Sequence, residues 1–279
     1  MLEKDKEKGK PFLEIFSATL QEDYRFPILE VFAFLYVVGT FALASFGSIS
    51  SLSQTNLNAY SAFALVNSIA GITSFSTLIL LLLILKNVAY GFGSDLERGT
   101  IQTYFSYPLK RRSILTAKLV SALGVSLLLF VAVQTAALYI SAPQIVSSYL
   151  STVALSYLAN LAYFLIVICI TILLTMIVKK GAITLIIGIV LYFGLYLSVG
   201  FATAISYAAH SALAQQIISC FAPTTALSLY LSQTSTSIYI SNYWVPSYGD
   251  VISYIVISYA IVAALLTFSY YYFSRRLSL

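Results

Sequence analysis

Charge is what this sequence has least of. Of its 279 residues only 9% are Asp, Glu, Lys or Arg, against a hydrophobic share of 59% and a mean hydropathy of +0.90. Soluble globular domains carry about 25% charged residues, so a soluble domain is excluded and a polytopic membrane protein is expected. Cysteine is scarce too. Cys169 and Cys220 stand in separate apolar blocks, which gives neither a disulfide framework nor a metal spacing and leaves them packing roles. No G-x-x-x-x-G-K-[ST] phosphate loop occurs: the only Gly-Lys pair, Gly9-Lys10, precedes Pro11 and lacks the upstream glycine. If ATP drives this protein, another subunit binds it. No secretory leader is expected, because the first long apolar run begins near Ile28 with no cleavage pattern after a short apolar core.

What is present is a series of long apolar runs. Six blocks reach the ~20 residues needed to cross hydrocarbon: Ile28 to Gly47, Val66 to Leu85, Ile114 to Ile140, Ser151 to Val178, Ala182 to Tyr207 and Asp250 to Phe273. The fourth and fifth are parted only by Lys179-Lys180-Gly181, which predicts a tight hairpin. Ahead of the first block, residues 1–10 mix acids and bases and read as a solvated tail. Residues 11–26 place Phe12, Ile15, Phe16, Leu20 and Tyr24 at helical spacing, as in a helix lying in the membrane interface. The expected fold is all-α: one transmembrane domain over 1–279, with a six-span bundle over 28–273.

The basic residues fall into four groups: the tail and interfacial helix, Lys86 to Lys118, Lys179-Lys180, and Arg275-Arg276. With six spans all four lie on one side, and the positive-inside rule makes it the cytoplasm, with both termini there. The net charge of +5 therefore marks sidedness and not a nucleic-acid surface. Ser48 to Leu65, Ser141 to Leu150 and Ala208 to Gly249 form the other side, without one Lys or Arg. Within the last, Ser211 to Phe221 and Thr225 to Leu231 are apolar but too short to cross, and Pro223 separates them. Two readings fit residues 208–249: a re-entrant helical hairpin, with Tyr243 and Trp244 in the aromatic belt, or a loop packed on the helix ends.

Active transport needs an energy source, and proton coupling is poorly served here. The middles of all six spans lack Asp, Glu, Lys, Arg and His, whereas sodium coordination by carbonyls and hydroxyls stays open. The sole histidine, His210, adjoins Ser211 but has no Gly-x-Ser-Gly stretch beside it, so a structural role is expected over an intramembrane hydrolase. Gln134 and Asn160, inside apolar blocks, are expected to bond neighbouring helices. Gly188, Gly194 and Gly200 recur every six residues, which does not match Gly-x-x-x-Gly.

The polar stretch from Tyr90 to Leu119 holds the densest charge between two apolar blocks. Ser94-Asp95-Leu96-Glu97 has the form of a capping box, and Pro108 ends helical geometry at Tyr107, which frames a short helix over residues 100–107. A helix so short is marginal alone in water, so it is expected to dock against something on both sides.

Glu97-Arg98-Gly99-Thr100, Tyr107-Pro108-Leu109, Arg111 to Ser113, Ile114 and Lys118 resemble the type-2 exporter permeases of ATP-binding-cassette transporters. Phe221-Ala222-Pro223-Thr224-Thr225 is similar to that family's outer Pro-containing motif. The resemblance implies a connecting helix over 11–26, a coupling-helix loop over 94–113 and an outer re-entrant segment. It implies a permease subunit that is not itself an enzyme and holds no cofactor or metal, with ATP and Mg bound by a separate ATP-binding subunit. A second permease, identical or related, would complete the pathway, lined partly by the second and fifth spans. Contacts to the ATP-binding subunit are implied for Glu97, Arg98, Gly99, Thr100, Ile101, Tyr104, Pro108, Arg111 and Arg112. The basic cluster from Lys110 to Arg112 also suits anionic headgroups. The alternative is a membrane anchor that recruits a cytoplasmic partner through the same loop without transport.

Overall fold

The computed structural model describes residues 2–46, 78–105, 110–141, 143–232 and 244–275. Among them the only regular structure is helical: α1 (Leu2–Asp23), α2 (Ile28–Phe46), α3 (Leu78–Glu97), α4 (Ile101–Phe105), α5 (Arg111–Ser141), α6 (Pro143–Ser148), α7 (Leu150–Val178), α8 (Gly181–Ala209), α9 (Leu213–Ser219), α10 (Thr224–Ser232) and α11 (Tyr248–Arg275). Helices α3, α5, α7, α8 and α11 are each long and apolar enough to cross a membrane. Helices α1 and α2, bent 65° at the break between them, would supply a sixth crossing.

Helix α7 is the hub, packing against α11, α8 and α3, while α5 carries α1 and α2 on its flank. Leu81, Leu85, Phe164, Ile168 and Phe273 form the main core. Side chains that find backbone acceptors across helices reinforce it: the Tyr163 hydroxyl donates to the Tyr192 carbonyl at 2.7 Å, and the Tyr259 hydroxyl to that of Leu158 at 3.2 Å. Such bonds matter in lipid, where apolar burial gives helices little reason to associate.

Several expectations change. The helix begins at Leu2, inside the stretch read as a solvated tail; Leu, Glu and Lys are strong helix formers, and composition alone hid this. The first part of the second block, residues 66–77, lies outside the described residues, and from Leu78 the helix runs on past Leu85 to Glu97. Ser94 to Glu97 is therefore the last turn of a span and not the start of the short helix. The capping box sits elsewhere: the Ser247 hydroxyl accepts the Asp250 N–H, and the Asp250 carboxylate accepts the Ser247 N–H at 2.7 Å, opening α11. Asn160 bonds back to the Ser156 carbonyl of its own helix. Tyr243 lies outside the described residues, and Trp244 is buried against Tyr254 in a cluster with Ala226 and Val251 instead of standing in a belt at the lipid surface.

The hairpin after Val178 forms as expected. Lys179 takes a left-handed conformation, Lys180 is extended, and α8 begins at Gly181. His210 closes α8 in the same left-handed way, while the Ser211 hydroxyl accepts the Leu213 N–H at 3.3 Å. Both residues thus end and start helices.

Candidate functional site

The residues of the polar stretch gather at one end of the bundle, with the first turns of α5 and α8, the end of α11 and the flank of α1. Helix α3 reaches that end through a π segment, Lys86–Phe92. A π turn shifts the helical register by one residue, so the side chains beyond it face differently than a straight α-helix would present them. Beyond it α3 crosses the start of α8 backbone to backbone. A Cβ on Gly93 would fall 2.7 Å from the Gly181 Cα, and one on Gly181 would fall 2.8 Å from the Tyr90 carbonyl oxygen. Only glycine at both positions permits this approach.

The chain then turns at Gly99, whose φ of +73° lies in the left-handed region that glycine reaches without strain. The following helix α4 is held by its inward side. Ile101 is fully buried in the main core, the Phe105 ring meets Phe273 edge-on at 6.0 Å, and the Lys118 ammonium sits 4.8 Å from the centre of the Tyr104 ring. Arg111 covers the outer face of Phe105 at 4.6 Å. These contacts let five residues hold a helix that could not persist alone.

Lys118 also forms a buried ion pair with Asp95, the one salt bridge among the described residues. It links the last turn of α3 to the second turn of α5, and the same ammonium touches α4. On the other side, α1 is tied into the group. The Ser121 hydroxyl donates to the Asp23 carboxylate at 2.6 Å, the Lys86 ammonium to the Asp23 carbonyl at 3.0 Å, and the Tyr24 hydroxyl to the Ala122 carbonyl at 2.8 Å. Burial pushes the Asp23 carboxyl up from 3.8 to about 6, with Ser121, Lys118 and Lys86 pulling the other way and Glu22 adding to the rise.

The residues singled out by sequence divide into two sets. Ile101 and Tyr104 face inward and hold α4 to the bundle, while Glu97, Arg98, Thr100, Arg111 and Arg112 are exposed, Arg98 and Thr100 at the mouth of a cavity beside α1. Gly99 makes the turn between them, and Pro108 lies outside the described residues. Sequence reasoning left Asp95, Lys118, Asp23, Ser121, Gly93 and Gly181 off the site. Opposite charges on the two sides of one loop were the available signal for Asp95 and Lys118; nothing in the letters pairs Gly93 with Gly181.

Residues 17–276 match the family described as ABC-2 family transporter protein. The chain belongs to that family. No curated protein matches the chain. As an ABC-2 protein it is the permease component of an ABC transporter, a multi-pass membrane component and not the ATPase. ABC-2 permeases generally work with an ATP-binding subunit and pair with another permease.

Proposed function

We propose that this permease is the conduit half of an ATP-driven exporter and that α4 is the element through which a separate ATP-hydrolysing subunit moves it. One observation carries the reading: α4 is held along its inner side by Ile101, Tyr104 and Phe105, which meet the core, Lys118 of α5 and Phe273 of α11, while Glu97, Gln102, Thr103 and Arg112 are exposed. A push on that face would reach α5 and α11 through the Tyr104–Lys118 and Phe105–Phe273 contacts. The charged end then faces the cytoplasm with both termini, and ATP and Mg stay on the partner subunit. The second permease, a copy or a relative, finds room on α8, whose outer side exposes Ile186, Val190, Leu197 and Phe201. Helices α9 and α10, broken at Pro223, are read as the re-entrant segment beneath the opposite leaflet.

The test is purification of the chain with its native ATPase, followed by ATP hydrolysis and transport in vesicles. Glu97→Ala and the double change Arg111→Ala, Arg112→Ala should leave insertion intact and lower transport per ATP at least about tenfold, as expected when charged interface contacts are removed. Coupling at the wild-type level in both variants, or a native complex with no ATPase, overturns the reading.

A further inference from the structure

Between α1, the π segment of α3 and the second and third turns of α5 lies a partly open cavity of about 320 Å³. Glu22, Asp23 and Asp95 line it, and so do Lys86, Arg98 and Lys118. The charges balance, which disfavours a simple anion or cation. Asp95 and Lys118 satisfy each other. The rest are less settled. One Asp23 carboxylate oxygen takes the Ser121 hydroxyl, while the other, Oδ1, faces Gly91 on the cavity wall. Lys86 donates one N–H to the Asp23 carbonyl, and an ammonium carries two more. Arg98 makes no ion pair among the described residues.

Asn87 adds an unsettled polar group behind this wall. It is among the residues around the cavity, but its amide is 2% exposed and turned away from the open space, and neither its oxygen nor its nitrogen makes a hydrogen bond of ordinary geometry. The Tyr24 hydroxyl, which the amide influences, is already engaged with Ala122 and Ser126. A buried amide with both ends open is costly. The free acceptor on Asp23 calls for a donor-rich cation, while the spare donors of Lys86 and Arg98 call for an anion. The position adds a third requirement. Apolar runs give way to charge here, and Tyr90, on the cavity wall, and Val120, next to the lining Leu119, are about half exposed. The occupant is therefore amphiphilic.

We propose that this cavity holds the headgroup of a zwitterionic phospholipid, with a primary ammonium on Asp23 and its phosphate on Lys86 and Arg98. The bound lipid cements α1 to α3 and α5. The test uses the purified full chain in detergent micelles at about pH 8, where the Asp23 carboxyl is ionised. Phosphatidylethanolamine, phosphatidylcholine and phosphatidylglycerol are titrated separately while thermal unfolding is followed. Phosphatidylethanolamine should raise the midpoint saturably. Phosphatidylcholine, whose quaternary nitrogen donates no hydrogen bond, and phosphatidylglycerol, which has no cation, should need about tenfold more lipid for the same shift.

Asp23→Asn should abolish the preference for the ethanolamine lipid, and Lys86→Gln should weaken all three lipids. Should Asp23→Asn not fold, Gly91→Ala serves: its methyl would sit 3.9 Å from Asp23 Oδ1 and 3.5 Å from the Lys86 carbonyl, ordinary contacts that cover the carboxylate without changing charge. It too should erase the preference. Equal effects of the ethanolamine and choline lipids, a preference for phosphatidylglycerol, or a preference that survives both substitutions would each mean that water or another solute fills the space. Glycerophosphoethanolamine acting as strongly as the lipid would assign the site to a soluble zwitterion and overturn the lipid. No ATP-hydrolysing subunit is used, so failure here leaves the reading of α4 untouched.

Discussion

Helices α7 and α8 are each 29 residues long and both strongly apolar, yet 56% of the apolar window of α7 is buried inside the chain against 17% of that of α8. Hydropathy says that each can cross; it does not say what each touches. In α7 the large side chains Phe164, Ile168 and Met176 go to the core. In α8 contact is limited to one side, where Gly181, Thr184, Gly188 and Tyr192 are buried. Gly188 shows how small that contact is, since a Cβ there would come within 2.8 Å of Leu85 and 3.1 Å of Thr171. Gly194 and Gly200, on the same helix, have open space around them. Small residues on α8 thus mark contact only where another helix happens to cross.

The contrast between a packed interior and a bare outer helix is open to direct attack. The largest effect is expected where packing hides charge. Lys118→Met leaves Asp95 buried and alone and should lower the stability of the detergent-solubilised chain by about 3–5 kcal/mol, read as the loss of unfolding midpoint. The double change Asp95→Leu, Lys118→Met should recover most of that loss, because it removes both charges together.

Next comes pH. The folded chain holds the Asp23 proton up to about pH 6, whereas the ordinary value is 3.8. The stabilising proton is therefore present below about pH 4 and is lost as pH rises through 6, a change worth up to about 3 kcal/mol. Thermal unfolding followed from pH 4 to pH 7 should show the midpoint falling, and the fall should vanish in Asp23→Asn. A rising midpoint would contradict burial as the dominant influence on this carboxyl.

Gly181→Ala sharpens the comparison on α8 itself. A methyl cannot fit against the Tyr90 carbonyl, so the crossing must open, with an expected loss of about 1–3 kcal/mol. Gly194→Ala and Gly200→Ala mark the other extreme. In the single chain they should be neutral or stabilising by up to about 1 kcal/mol, since alanine is the better helix former. If the bare side of α8 receives the second permease, the same two changes should weaken pairing, as crosslinking through α8 would register.

How much of this was legible beforehand depends on the residue. Ile114, Ile28 and Val178 fall within three residues of the ends of α5, α2 and α7 because apolar runs must end where water begins, a one-dimensional signal. Ser94-Asp95-Leu96-Glu97 and Ser247-Tyr248-Gly249-Asp250 share a capping pattern, and only the second caps a helix. The letters are a local permission, and the π segment upstream of Ser94 carried the first helix through it. Trp244 is ambiguous in sequence for a related reason: an indole suits both a belt and a core, and the neighbours that decide between them, Ala226 and Val251, are not adjacent in the chain.

By itself the sequence determined the all-helical membrane class, the end of the bundle where charge collects, and the loop between the second and third spans where family resemblance concentrates. Each depends on transfer of side chains between water and lipid or on a contiguous run of residues, so composition and order suffice. The tertiary structure alone decided that α7 is central and α8 peripheral, that Lys118 joins Asp95 beneath α4, that Gly93 meets Gly181, and that Asp23 closes a polar cavity with Lys86 and Asn87. Those outcomes depend on which helices approach closely, a pairwise geometry among residues far apart in the chain that no run of letters encodes.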